Sequence, residues 1–208
     1  MQRMDDSFPL YRYRPKMKKE LEAMEDEKII ELYFERQEAA ISETAAKYGA
    51  MIRKISYNIL KNQADSEECE NDTYHIAWNK IPPERPRFLA AFLGRIARNV
   101  SFDKYHYNKA AKRNTEFDIT ISELADCVVS QTTVETEADA KHCAECMNGF
   151  LRGLRFTKRV IFVRRYWYCD SIGKIAHDYG FSESKVKSML LRTRKELKKY
   201  LERNGIRL

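Results

Sequence analysis

Ser171-Ile-Gly-Lys-Ile-Ala-His-Asp-Tyr-Gly-Phe-Ser-Glu-Ser-Lys-Val-Lys-Ser-Met-Leu-Leu-Arg-Thr-Arg-Lys-Glu-Leu-Lys-Lys-Tyr200 is the stretch that decides the fold. Ser171 is placed to cap a first helix, in which Ile172, Ile175, Ala176 and Tyr179 recur at helical spacing. Gly180 supplies the left-handed residue that ends it. Ser182 then caps a second helix whose apolar stripe is Val186, Leu190, Thr193 and Leu197. Ala176 is small where the helices must cross, and Gly180 and Val186 follow it by four and ten residues. That spacing predicts a helix-turn-helix whose second helix is strongly basic. On that helix Glu183, Ser184, Lys185, Lys187 and Ser188 are the candidates to face base edges in a major groove, with Arg192, Arg194 and Lys195 nearer the phosphates.

Upstream, the pattern stays helical. Apolar positions Ile29, Ile30, Tyr33 and Phe34, then Ile41 to Ile59, predict two helices meeting near Gln37 to Ser42. A third is predicted from about Ala64 to Lys80, capped by Asp65 or Ser66 and stopped by Pro82, Pro83 and Pro86. A fourth starts near Phe88 and grades into a basic tract of Lys109, Lys112 and Arg113. Helices are predicted again from Ala140 to Leu154 and from Thr157 to Tyr168. The expected fold is all-α, two small helical domains at 24–113 and 140–208 joined by an acidic linker at 114–139, after a poorly ordered extension at 1–23. The linker reads either as a solvated tether or as an acidic segment able to occupy a channel built for nucleic acid.

The net charge of +7 over 208 residues points to a polyanionic partner, and the basic residues crowd into the last helix. No apolar run approaches a bilayer span and the N-terminus has no signal-peptide core, so a cytoplasmic protein with no membrane partner is expected. Five cysteines, an odd count, predict reduced thiols. Cys143 and Cys146 stand at a spacing that can hold zinc, but within a predicted helix and without a second ligand pair.

Two further segments have marked surface chemistry. Asp65-Ser-Glu-Glu-Cys-Glu-Asn-Asp72 sets carboxylates around a helix start, as a docking surface or simply a start favoured by the helix dipole. Between Phe88 and Arg113, Arg95, Arg98, Asn99 and Lys104 interleave with Phe102, Tyr105, His106 and Tyr107, a mixture suited to single-stranded DNA. Tyr105 and Tyr107 are the expected stacking residues, whereas Phe88, Phe92 and Phe102 are expected in the core. No phosphate loop, nucleophile elbow or histidine metal set occurs, so neither an enzyme nor a cofactor is implied.

In this order the segments resemble the sigma-70 family of bacterial RNA polymerase sigma factors, in the small two-domain extracytoplasmic-function group. Asp65 to Trp78 resembles the family's polymerase-docking helix, Phe92 to Asp103 its promoter-melting stretch, and Arg159 to Tyr166 with Ser171 to Leu197 its region 4. The resemblance implies a transcription initiation factor whose partners are promoter DNA and core RNA polymerase, through the beta-prime clamp helices and the beta flap. An anti-sigma factor is a further implied partner. It places Asp65, Glu68, Asp72 and Trp78 on the polymerase surface. Arg95, Arg98, Asn99, Asp103, Lys104, Tyr105 and Tyr107 fall at the minus-10 element, and Glu183 to Arg192 in the major groove of the minus-35 element. Met189 stands where the family often has arginine, and Tyr105-His-Tyr107 where it often has several. Two other classes stay open: a stand-alone helix-turn-helix regulator of duplex DNA, and a recombinase-type enzyme using this motif for targeting.

Overall fold

A computed structural model describes residues 24–108, 115–125 and 137–206. The extension 1–23, the basic tract Lys109, Lys112 and Arg113, and linker residues Asp126, Cys127 and Glu135 lie outside the described residues, as do the side chains of Glu116, Glu137 and Asp139. Every regular element among the described residues is an α-helix: α1 (Asp26–Phe34), α2 (Ala39–Leu60), α3 (Gln63–Lys80), α4 (Leu89–Asn108), α5 (Thr115–Ala125), α6 (Glu137–Gly153), α7 (Phe156–Tyr166), α8 (Ile172–Tyr179) and α9 (Glu183–Arg203). The helices fall into two compact units, α1 to α4 and α5 to α9.

In the first unit α2, α3 and α4 pack on one another and α1 lies against α2. The apolar stripe of each sequence segment is what gets buried: Ile29, Ile30 and Tyr33 from α1; Ile52, Ile55 and Ile59 from α2; Leu89, Phe92, Leu93 and Ile96 from α4. α3 has a weak apolar face and buries the small groups Ser66, Cys69, Thr73 and Ala77 together with Glu70 and Tyr74. Buried hydroxyls find partners, as burial requires: Tyr33 Oη lies 2.9 Å from Thr44 Oγ1, and Ser101 Oγ donates to Ser56 Oγ at 2.9 Å. The cap of α3 is Asn62, whose side chain accepts from the Asp65 amide at 3.3 Å. Asp65 is thereby inside the helix and is not its cap, and Ser66 Oγ turns back to the Asn62 carbonyl.

The second unit is built around Phe150, Ile161, Phe162, Tyr166, Ile175, Val186, Leu190, Leu197 and Leu201. Ser171 accepts from the Lys174 amide at 3.1 Å, Gly180 ends α8 at φ 65°, and Ser182 accepts from the Lys185 amide at 3.3 Å. The caps and the turn are those that Ser171, Gly180 and Ser182 announce. The stretch read as a linker is not wholly one. Its first part forms α5, which buries Phe117 and Thr120 and lays Leu124 against the core of this unit. Those residues recur at helical spacing, a stripe too short to stand out against the acidic residues around it.

Candidate nucleic-acid interface

Helix α9 presents two unlike sides. Val186, Leu190, Thr193, Leu197 and Leu201 are buried, while Ser184, Ser188, Leu191, Arg192, Lys195, Lys198 and Lys199 are exposed. At about 100° per residue the exposed group centres on Ser188 and Lys195, opposite the buried stripe. Small hydroxyls in the first turns flanked by cations suit a helix laid in a groove between phosphate rows.

Several expected contacts on α9 are tied within the chain. The Glu183 carboxylate lies against the first turn of α8, where a methyl on Gly173 would come within 3.2 Å of Glu183 Oε1. That position is favoured by the positive N-terminal end of α8. Lys187 Nζ is 3.7 Å from Glu183 Oε2, and Lys185 Nζ sits 4.1 Å from the centre of the Phe181 ring. Both lysines remain exposed, and such surface ties are weak enough for a phosphate to replace. Arg194 differs. It lies on the flank toward α7, its Nη1 donates to Tyr166 Oη at 2.5 Å and to Glu123 Oε2 at 3.1 Å, and its side chain is 16% exposed. Its role is internal, which corrects its expected place near the phosphates. Burial pushes the Tyr166 hydroxyl above its ordinary pKa, so it stays protonated and can donate to Glu123.

In the first unit, the acidic helix start and the end of α4 meet. Lys104 Nζ lies 2.5 Å from Glu68 Oε2 and 3.9 Å from Asp65 Oδ1, and Asn108 Nδ2 donates to Asp65 Oδ2 at 3.2 Å. The hydrogen bond to Glu68 above all raises the Lys104 pKa, so the ammonium is held charged. Asp65, Glu68 and Asp72 share a face at helical spacing, with Glu68 and Asp72 exposed. Trp78 is not on that face. Its ring packs 6.1 Å from that of Tyr33 and lies 5.3 Å beneath the Arg36 guanidinium, which donates to the Trp78 carbonyl. Trp78 joins α3 to α1 and lies off the Asp65 face, whereas the sequence reading places Asp65, Glu68, Asp72 and Trp78 on one polymerase-binding surface.

Along α4, Arg95, Asn99 and Asp103 recur every four residues and are all exposed. Arg98 lies 4.5 Å over the half-buried Phe102 ring. The two tyrosines separate sharply: Tyr107 is 87% exposed, while Tyr105 is 4% exposed and packs into the unit. Tyr105 cannot offer a ring face to a base, because the residue falls on the buried side of α4 with Ser101 and Ala97. Sequence proximity to basic residues could not distinguish them, since both lie in the same tract.

Cys143 is partly exposed and Cys146 is buried on α6, and His142 Nε2 lies 3.8 Å from Cys146 Sγ. Among the described residues, no three His, Cys, Asp or Glu side chains converge to hold a metal. Also among the described residues, no helix is long and apolar enough to cross a membrane. No protein-family model matches the chain, and no curated protein matches it either.

Proposed function

We propose that this chain is a transcription initiation factor of the sigma type, which binds core RNA polymerase, reads promoter DNA and helps hold it open without chemistry of its own. The observation that carries the reading is α9: a capped helix-turn-helix whose second helix buries one stripe and exposes a basic face centred on Ser188 and Lys195. The first unit supports the rest. The exposed row Arg95, Asn99 and Asp103, with Tyr107 beyond it, combines a charge for backbone, an amide for a base edge and a ring for stacking. Glu68 and Asp72 give α3 an acidic face for a basic partner surface.

Duplex reading alone would make the chain an ordinary regulator, so the test must see opening. With core polymerase and a promoter selected by that complex, thymines near the start site become reactive to permanganate. Asn99→Ala with Tyr107→Ala leaves closed-complex binding largely intact and reduces that reactivity, because a stacked base is worth about 1–3 kcal/mol. A promoter bound with polymerase but never opened would put the plain helix-turn-helix regulator ahead.

A further inference from the structure

The acidic helix α5 delivers one carboxylate to the helix-turn-helix unit, and it lands on arginines. Glu123 Oε2 accepts from Tyr166 Oη at 2.9 Å and from Arg194 Nη1 at 3.1 Å, and lies 3.7 Å from Arg165 Nε. Arg194 Nη1 also donates to Tyr166 Oη at 2.5 Å. One oxygen thus joins α5, α7 and α9. Arg165 is 1% exposed, and a guanidinium so far from water needs counter-charge. The nearby Asp170 carboxylate lies 2.7 Å from Arg164 Nε, while the Asp170 carbonyl accepts from Arg165. Glu123 brings a second carboxylate to this corner. It is held there by the burial of Phe117 and Thr120 and by Leu124 against the core.

Arg194 is six residues beyond Ser188 on the same helix, about 120° away around its axis. The buried leucines and Val186 keep α9 on the core, but apolar packing is non-directional and tolerates some roll. Hydrogen bonds from a guanidinium to Tyr166 and Glu123 are directional, and they fix the azimuth of α9 and with it Ser184, Ser188, Arg192 and Lys195. We infer that Glu123 is a positioning residue for DNA recognition: acting through Arg194, it sets the orientation of the recognition helix, so α5 belongs to the reading unit. This rests on the proposed role of α9 as the DNA reader.

The test uses the full chain, a duplex it selects from a random pool, and a scrambled duplex of the same composition. Glu123→Gln keeps the side-chain shape and removes the charge. It lowers the ratio of selected to scrambled affinity about fivefold to tenfold, while scrambled affinity holds or rises slightly because a negative charge has gone. Arg194→Gln lowers the ratio to the same extent, though with a lower scrambled affinity because a positive charge has gone, and the ratio of the double variant falls no further than that of either single one. A purely structural role would lower the melting temperature yet leave that ratio unchanged well below it. An unchanged ratio in folded Glu123→Gln overturns the inference. So does an equal rise for both duplexes, which would make α5 only an acidic screen. Should Glu123→Gln fail to fold, Tyr166→Phe removes one hydroxyl from the cluster and keeps the ring; it too lowers the ratio, and an unchanged ratio there is equally fatal. A wild-type chain with no duplex preference would instead remove the DNA-reading role of α9, and Glu123's role with it.

Discussion

Single side chains carry two testable consequences. Gly49 faces a buried acid: a methyl there would come 2.9 Å from both Glu70 Oε1 and Tyr74 Oη. Those atoms are not free to swing aside, because Arg53 Nε holds Glu70 Oε2 at 2.6 Å and Tyr74 Oη donates to Glu70 Oε1 at 2.7 Å. Gly49→Ala is therefore expected to cost about 1–3 kcal/mol by overpacking, despite the usual gain of alanine in a helix. Urea unfolding measures it, and a stabilised variant would show that the acid relaxes freely. Asp178 gives a pH dependence. Burial alone would raise its pKa, but Lys174, His177 and Arg164 together hold it below the ordinary carboxylate value of 3.8. A depressed carboxylate stabilises the fold above its unfolded pKa, and that contribution is lost as pH falls through the folded value. Wild type is thus expected to exceed Asp178→Asn in stability at neutral pH, with the gap closing below pH 3.8. A gap independent of pH would mean that the charge of Asp178 does not stabilise the fold.

Among the elements, the helix-turn-helix was the most legible because each of its boundaries is written in a residue with one local job. Ser171 and Ser182 cap, and Gly180 takes the left-handed turn. α5 was obscured because a tertiary surface stabilises it: eleven residues with a short apolar stripe form a helix here only by docking Phe117, Thr120 and Leu124. The same cause hid the fate of Arg194, since its partners Glu123 and Tyr166 stand 71 and 28 residues away. The direction of α4 escaped the sequence in a different way. Tyr105 and Tyr107 differ by two positions, which on a helix turns one to the core and the other to water. Arg192, exposed on the outer face of α9, is the position where duplex binding is most simply tested. Arg192→Ala is expected to weaken duplex binding. A phosphate contact would lower the salt slope by about one and affect all sequences alike, whereas a base contact would cost about 1–3 kcal/mol at one position. Wild-type affinity in this variant would move the reading surface elsewhere.

At the scale of the molecule, two helical units carry unlike surfaces. One has an acidic face on α3 and a mixed basic and aromatic edge on α4, and the other an exposed basic face on α9. A regulator of duplex DNA needs only the second. The acidic α3 face is what the sigma-type account has to explain, and it does so by assigning that face to polymerase. Glu68 and Asp72 are exposed, so replacing Asp72 costs the fold no more than about 0.5 kcal/mol and replacing Glu68, which also gives up its tie to Lys104, about 1 kcal/mol. The most direct measurement is therefore retention of bacterial core RNA polymerase on the immobilised full chain, comparing wild type with Glu68→Ala/Asp72→Ala. Wild type is expected to retain core polymerase stoichiometrically, and the variant to retain it less while still unfolding cooperatively and staying folded at the temperature of the assay. Failure of the folded wild-type chain to hold core polymerase would contradict the sigma-type account.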